Sequence, residues 1–200
     1  MHLDLQTVAA ARLPERPKKL RHWPGLSETL IALALGLLSV PAHAGSTAAD
    51  EVQIGQTLRE ARLQGLNGPP QALSAFRGSP LIINVWASWC GPCRNEMASL
   101  ERLAWQAHKV PFVVIGISTD DEPDNAKRVL AATNATISHF IDSRLQLETM
   151  LGASRIPLTV LVDADGQVLD KVFGAKQWDG PEAKALIESA FRKGRRAPMR

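Results

Sequence analysis

Three short runs of apolar, largely β-branched residues dominate the sequence: LIINVW at residues 81–86, FVVIGI at 112–117 and LTVLV at 158–162. Runs of this length and composition read as strands buried on both faces, so helices must cover both sides of the sheet they form. After the first run, Met97, Leu100, Leu103, Ala104 and Ala107 recur at three- and four-residue spacings, predicting one apolar face on a helix over residues 92–108. Pro123 opens a second helix to about residue 132, proline being tolerated in a first turn. Residues 138–141 read as a short strand, residues 145–151 as a short helix stopped at Gly152, and residues 181–192 as a closing amphipathic helix. Asp163-Ala164-Asp165-Gly166 turns residues 158–162 into residues 167–173 as a hairpin. Weaker signals are a strand over residues 61–66, ended by Asn67-Gly68 and Pro69-Pro70, and one helical turn at residues 73–76. This order predicts an α/β fold: a central mixed sheet flanked by helices on both faces.

The first 44 residues differ in kind. A basic stretch at residues 16–22 precedes the apolar run LIALALGLLSV at 30–40, then Pro41 and Ala42-His43-Ala44. Basic, apolar and A-x-A segments in that order predict a secretory signal peptide over residues 1–44, cleaved after Ala44. The run is well short of the ~20 apolar residues that span a bilayer, so no stable insertion is expected after cleavage. Residues 45–54 read as a flexible lead-in, 55–192 as the folded domain and 193–200 as a basic tail. The formal charge of +3 is a property of the ends. Residues 1–44 hold five Lys and Arg against three acids, and a further five basic residues lie between Arg192 and Arg200. The body between carries 13 basic against 17 acidic residues, which argues against a nucleic-acid partner.

The chain has two cysteines, Cys90 and Cys93, separated by Gly91 and Pro92. They fall where a strand ends and a helix begins. Thiolates, not thiols, attack disulfides, and unpaired N–H groups at a helix start stabilise a negative sulfur. Cys90 is the expected exposed nucleophile and Cys93 the inward, resolving thiol. Other uses of the pair compete. Half a zinc site lacks partners, since His108 and His139 are 31 residues apart without ligand spacing. A purely structural disulfide closing so small a ring removes little unfolded-state entropy.

The segment Trp86-Ala-Ser-Trp-Cys-Gly-Pro-Cys93 resembles the thioredoxin active site. Its extension Arg94-Asn95-Glu96-Met97 is similar to the TlpA/ResA/CcmG branch, the exported thioredoxin-like reductases. The likeness covers about residues 55–192 and implies a thioredoxin-like fold. It makes Pro157 the family's cis-proline, lying against the cysteines and exposing the backbone of Ile156 to an extended substrate. It makes Glu96 an active-site acid exchanging the resolving thiol's proton, and gives Trp89, Gly91 and Pro92 the substrate-facing rim. Thioredoxin carries a buried Asp six residues before its first cysteine, where this chain has Asn84, which cannot titrate. Trp86, Trp105 and Trp178 read as core or rim aromatics. Ala98 stands where relatives often have a helix-kinking proline.

Gly-Pro between the cysteines is the thioredoxin dipeptide; thioredoxin lies near −270 mV and the oxidant DsbA near −120 mV. A reductase of protein disulfides is therefore expected, exported or periplasmic, needing no cofactor or metal. The resemblance implies that a membrane electron donor recharges it, and that substrates are disulfides in cytochrome c maturation or copper-site assembly. Two alternatives stay open: a Cu(I) metallochaperone, thiolates being soft ligands, and a thiol peroxidase, although Ala87-Ser88-Trp89 is not the usual peroxidase lead-in.

Overall fold

The computed structural model describes residues 50–106 and 111–194, so the expected signal peptide, the start of the lead-in, Ala107 and the last six residues lie outside the described residues. Seven strands form the sheet: β1 (Arg62–Gly65), β2 (Gln71–Ala72), β3 (Leu81–Trp86), β4 (Val113–Ser118), β5 (Ser138–Ile141), β6 (Leu158–Val162) and β7 (Val168–Phe173). Their spatial order is β2-β1-β5-β4-β3-β6-β7. β3, β4 and β5 run parallel, whereas β1, β6 and β7 pair antiparallel with their neighbours, giving the expected mixed sheet. Helices α1 (Gly91–Trp105), α2 (Pro123–Thr133), α3 (Gln146–Leu151) and α4 (Pro181–Gly194) join a 3-10 turn at Leu73–Phe76. This is the thioredoxin-like architecture.

The pleat of β3 explains why both faces must be covered. Leu81, Ile83 and Val85 enter one apolar layer with Phe140, Met150 and Leu151. Ile82 points the other way, among Leu100, Leu103, Trp178 and Ile187 from α1, α4 and the approach to α4. Trp86 joins Cys90, Cys93, Met97 and Ala126 in a third cluster. Each fully buried aliphatic side chain contributes ~1.5–3 kcal/mol, so β3 alone anchors both layers. Met97, Leu100 and Leu103 supply the α1 face that their spacing announces.

The ends of elements follow local chemistry. α2 starts at Pro123, carries Asp124 in its first turn where the dipole favours an acid, and stops at Asn134 in the left-handed conformation (φ 51°). α1 ends at Trp105 rather than 108, with Gln106 already extended. α4 continues to Gly194, so the basic tail begins inside a helix, where Arg192 and Lys193 suit the negative dipole end.

One expectation needs correction. The lead-in is not flexible throughout: Val52 is buried in the main core and donates its N–H to the Met150 carbonyl at 2.8 Å. Burial of one valine and a backbone bond outweigh the small, polar character of its neighbours. β2 has no sequence signal, because two residues after Pro69-Pro70 are too few to show a period. Its pairing with Arg62 and Leu63 creates it.

Candidate active site

β3 delivers the chain to residues 87–89 and then to Cys90, the N-cap of α1 (φ −83°, ψ 101°). The Cys90 Sγ accepts the Cys93 N–H at 3.2 Å, so an otherwise unpaired helix-start donor already points at the sulfur. Cys90 and Cys93 form a disulfide with Cα atoms 5.3 Å apart. Cys93 is inaccessible, as expected, but Cys90 is only 6% exposed. The expectation of an exposed Cys90 thus narrows to a sulfur visible at one edge, because Trp86, Ala87, Met97 and Ile156 pack in the same cluster. Trp89, next to it, is 71% exposed. Pro92 is exposed and Gly91 half-buried on the same rim. The Ile156–Pro157 peptide bond is cis. Ile156 packs against the cluster that holds both cysteines.

Glu96 is 3% exposed. Its Oε1 accepts from Asn84 Nδ2 at 2.8 Å, and its Oε2 accepts from the Lys176 N–H at 3.0 Å and from Trp178 Nε1 at 2.9 Å. Burial raises the pKa of this carboxyl; the three donors, Lys176 foremost, oppose that rise without cancelling it. Asn84 also donates to Thr159 Oγ1 at 3.1 Å, so β3 and β6 share the network. Ser99 Oγ, one turn on, donates to the Glu96 carbonyl at 2.7 Å and accepts the Trp178 N–H at 3.1 Å, fastening residues 176–178 to α1. Trp178 was legible only as a core aromatic; its indole N–H is a polar partner of the acid.

A second carboxylate secures the loop before Cys90. Asp120 accepts from the Ser88 N–H at 2.9 Å, the Ser88 hydroxyl at 2.6 Å and the Ser118 hydroxyl at 2.7 Å. In the sequence this Asp belongs to a polar STDDE turn, and nothing there distinguishes it from Asp121.

Behind the cysteines, the His139 and Trp86 rings meet edge to face at 5.5 Å. Among the described residues, neither His139 nitrogen nor Trp86 Nε1 has a hydrogen-bond partner. Burial lowers the His139 pKa to about 4, so the ring is neutral near pH 7. Trp105 is exposed, its Nε1 donating to Thr136 Oγ1 at 2.8 Å, which makes it a rim residue distant in role from the cysteines. Among the described residues no group of three His, Cys, Asp or Glu side chains is placed to hold a metal, and no helix is long and apolar enough to cross a membrane.

The Redoxin family model matches residues 53–187. The thiol:disulfide interchange protein DsbE of Vibrio cholerae is 33% identical over 156 residues, 76% of this chain and 83% of that protein. The thiol–disulfide oxidoreductase ResA of Geobacillus thermodenitrificans is 26% identical over 123 residues, 62% of this chain and 71% of its own. A solved structure from Chlorobium tepidum, assigned as a thiol:disulfide interchange protein DsbE, superimposes with a TM-score of 0.62 at 26% identity, covering 70% of this chain and 96% of that one. The chain therefore belongs to the Redoxin family, as a thiol–disulfide oxidoreductase of the DsbE/ResA type.

Proposed function

We propose that the protein is an exported reductase of protein disulfides, cycling between a Cys90/Cys93 dithiol and the disulfide. The observation that carries this reading is the buried Glu96 carboxyl, three residues after Cys93 on α1. Residues three apart on a helix lie with Cβ atoms ~5–6 Å apart, so Glu96 and Cys93 occupy neighbouring positions on α1. Negative charge there opposes a thiolate at Cys93 and favours the disulfide, which makes the dithiol form a willing electron donor.

In the reductive cycle the Cys90 thiolate attacks one sulfur of a substrate disulfide and expels the other as a thiolate, leaving a mixed disulfide. Cys93 gives its proton to the Glu96 carboxylate and attacks the Cys90 sulfur. The Cys90–Cys93 bond re-forms, and the second substrate sulfur leaves as a thiolate that takes up the proton held on Glu96. The substrate gains two electrons and the protein loses two. Trp89, Gly91 and Pro92 border the approach, and Ile156 with Pro157 offers the extended backbone against which a substrate strand lies. A membrane electron donor returns the electrons after residues 1–44 are removed and the chain is exported. Its substrates are disulfides in cytochrome c maturation or in copper-site assembly, the setting that the TlpA/ResA/CcmG likeness supports.

The deciding experiment is the equilibrium potential of the Cys90–Cys93 pair, titrated against glutathione or dithiothreitol. A value near the ~−270 mV of thioredoxin supports the reductase, and one near the ~−120 mV of DsbA sinks it.

A further inference from the structure

Strand pairing sets Trp86, Ser118 and Ile141 opposite one another on β3, β4 and β5, and Ile141 opposite Gln64 on β1. This row crosses the sheet at the end where the chain leaves β3 for Cys90. Adjacent strands lie ~4.8 Å apart, which places Ile141 ~10 Å and Gln64 ~14 Å from the β3 position. At that far side the surface opens into a groove of about 800 Å³.

Arg59, Arg62 and Arg144 line the groove, and all three are exposed. Among the described residues the ion pairs are Arg102–Asp179, Lys127–Asp124 and Lys171–Glu51, so none of these three arginines has an acidic partner. Arg59 donates to the Asp50 carbonyl, which leaves its charge uncompensated. The two acids on the wall are engaged elsewhere. Asp142 accepts the N–H groups of Gln146 at 3.0 Å and Glu148 at 2.7 Å, holding the first turn of α3. Glu60 accepts those of Ala61 at 3.1 Å and Ser74 at 3.4 Å. Against the two wall carboxylates, whose oxygens are held by backbone N–H groups, stand three guanidinium groups without ion pairs, an excess of positive charge. They match carboxylates, which arginine grips through two parallel N–H donors.

We infer that this groove docks an acidic segment of the disulfide-bearing polypeptide while Cys90 attacks that polypeptide's sulfur. The inference rests on the protein-disulfide reading proposed above and adds to it the charge of the substrate. An extended chain advances ~3.4 Å per residue, so the acidic segment lies roughly four to six residues from the reacting cysteine. The cluster acts on encounter: steering between opposite charges raises association rates tenfold or more and fades as salt screens it.

Two synthetic peptides test the inference. Each carries one cysteine as a mixed disulfide with thionitrobenzoate, a five-residue spacer, and either Glu-Asp-Glu or Gln-Asn-Gln. The reduced protein attacks the peptide sulfur and releases thionitrobenzoate, and Cys93 then frees the peptide as a thiol. The expected result at low ionic strength is about a tenfold larger second-order rate constant for the acidic peptide. That preference vanishes toward 1 M salt, where the Debye length is about 3 Å. In the combined variant Arg59→Glu, Arg62→Glu, Arg144→Glu the ratio of the two rate constants falls to one or below. The salt series needs no substitution, so it decides the matter even if the variant folds poorly. Brisk but equal reaction of both peptides at low salt overturns the groove and leaves the reductase standing. Failure of both peptides to react overturns the underlying reading, and the groove with it.

Discussion

The Trp178 indole donates to Glu96 Oε2 at 2.9 Å, closing a contact between residues 82 apart in the chain. Asn84 and the Lys176 N–H complete the set, so among the described residues three donors hold this carboxyl. Glu96→Gln turns an amide NH₂ toward at least one of those donors. The expected outcome is a loss of about 1–3 kcal/mol in urea unfolding, from a buried group left without a partner. Steady-state disulfide reduction falls by ~100-fold, the lower bound for a lost proton carrier, and the inflection of its pH profile disappears. An unchanged pH profile would mean that Glu96 only braces the fold.

Glu96 also fixes a sign in the stability of the protein. Its folded pKa lies above the ordinary value of 4.5, so between those two values the folded state binds more protons than the unfolded state. Through that window the Glu96 contribution falls as pH rises and is largest below it. Comparing the urea midpoints of wild type and Glu96→Gln at pH 4.5 and pH 7 isolates this slope.

His139 acts in the opposite sense. Its pKa drops from 6.5 unfolded to about 4 folded, so the unfolded state binds the extra proton between those values. Stability from this residue is fully present above pH 6.5 and is lost as pH falls toward 4. A shift of this size is on the order of 3 kcal/mol. His139→Phe keeps a ring against Trp86 and removes two unpartnered nitrogens. The variant is expected to lose most of the acid lability between pH 6.5 and 4 and to be at least as stable at pH 7.

The same ring leaves no room across the sheet. A Cβ on Gly116, paired with His139 between β4 and β5, would come within 2.1 Å of its Nδ1. Gly116→Ala is therefore expected to cost ~1–3 kcal/mol by overpacking. Combining it with His139→Ala should return part of that loss, measurable as a coupling in a double-mutant cycle.

Asp120→Ala removes three hydrogen bonds from the approach to Cys90. About 2 kcal/mol of stability is expected to go with them. Because Ser88 lies two residues before Cys90, the proposed nucleophile, the rate of thionitrobenzoate release should fall as well. Asp120→Glu, which is longer, should restore neither.

The strand runs at residues 81–86 and 158–162 were legible because they are short, apolar and β-branched, and their ends match the observed strands. The cysteine pair was legible because its chemistry and its place at a helix start coincide. What surrounds it was not. Trp178, Lys176, Thr159 and Asp120 reach the site from later elements, and a contact between distant residues leaves no period or spacing in the sequence. The substitution of Asn84 for a carboxylate was visible, but its employment as a double donor to Glu96 and Thr159 required the fold. Three arginines scattered over residues 59–144 likewise read as ordinary surface charge until β1 and β5 are placed side by side.

β2 has only two residues, and the two prolines before it offer no N–H to a neighbour. At the other side, residues 55–58 bond to Gly166 and Val168 and cover the start of β7. The β2 margin and the start of β7 are thus poor templates for a foreign strand. If the proposed protein-disulfide substrates arrive as extended chains, the shortness of β2 and the covered start of β7 limit the edge against which such a chain could pair and co-aggregate.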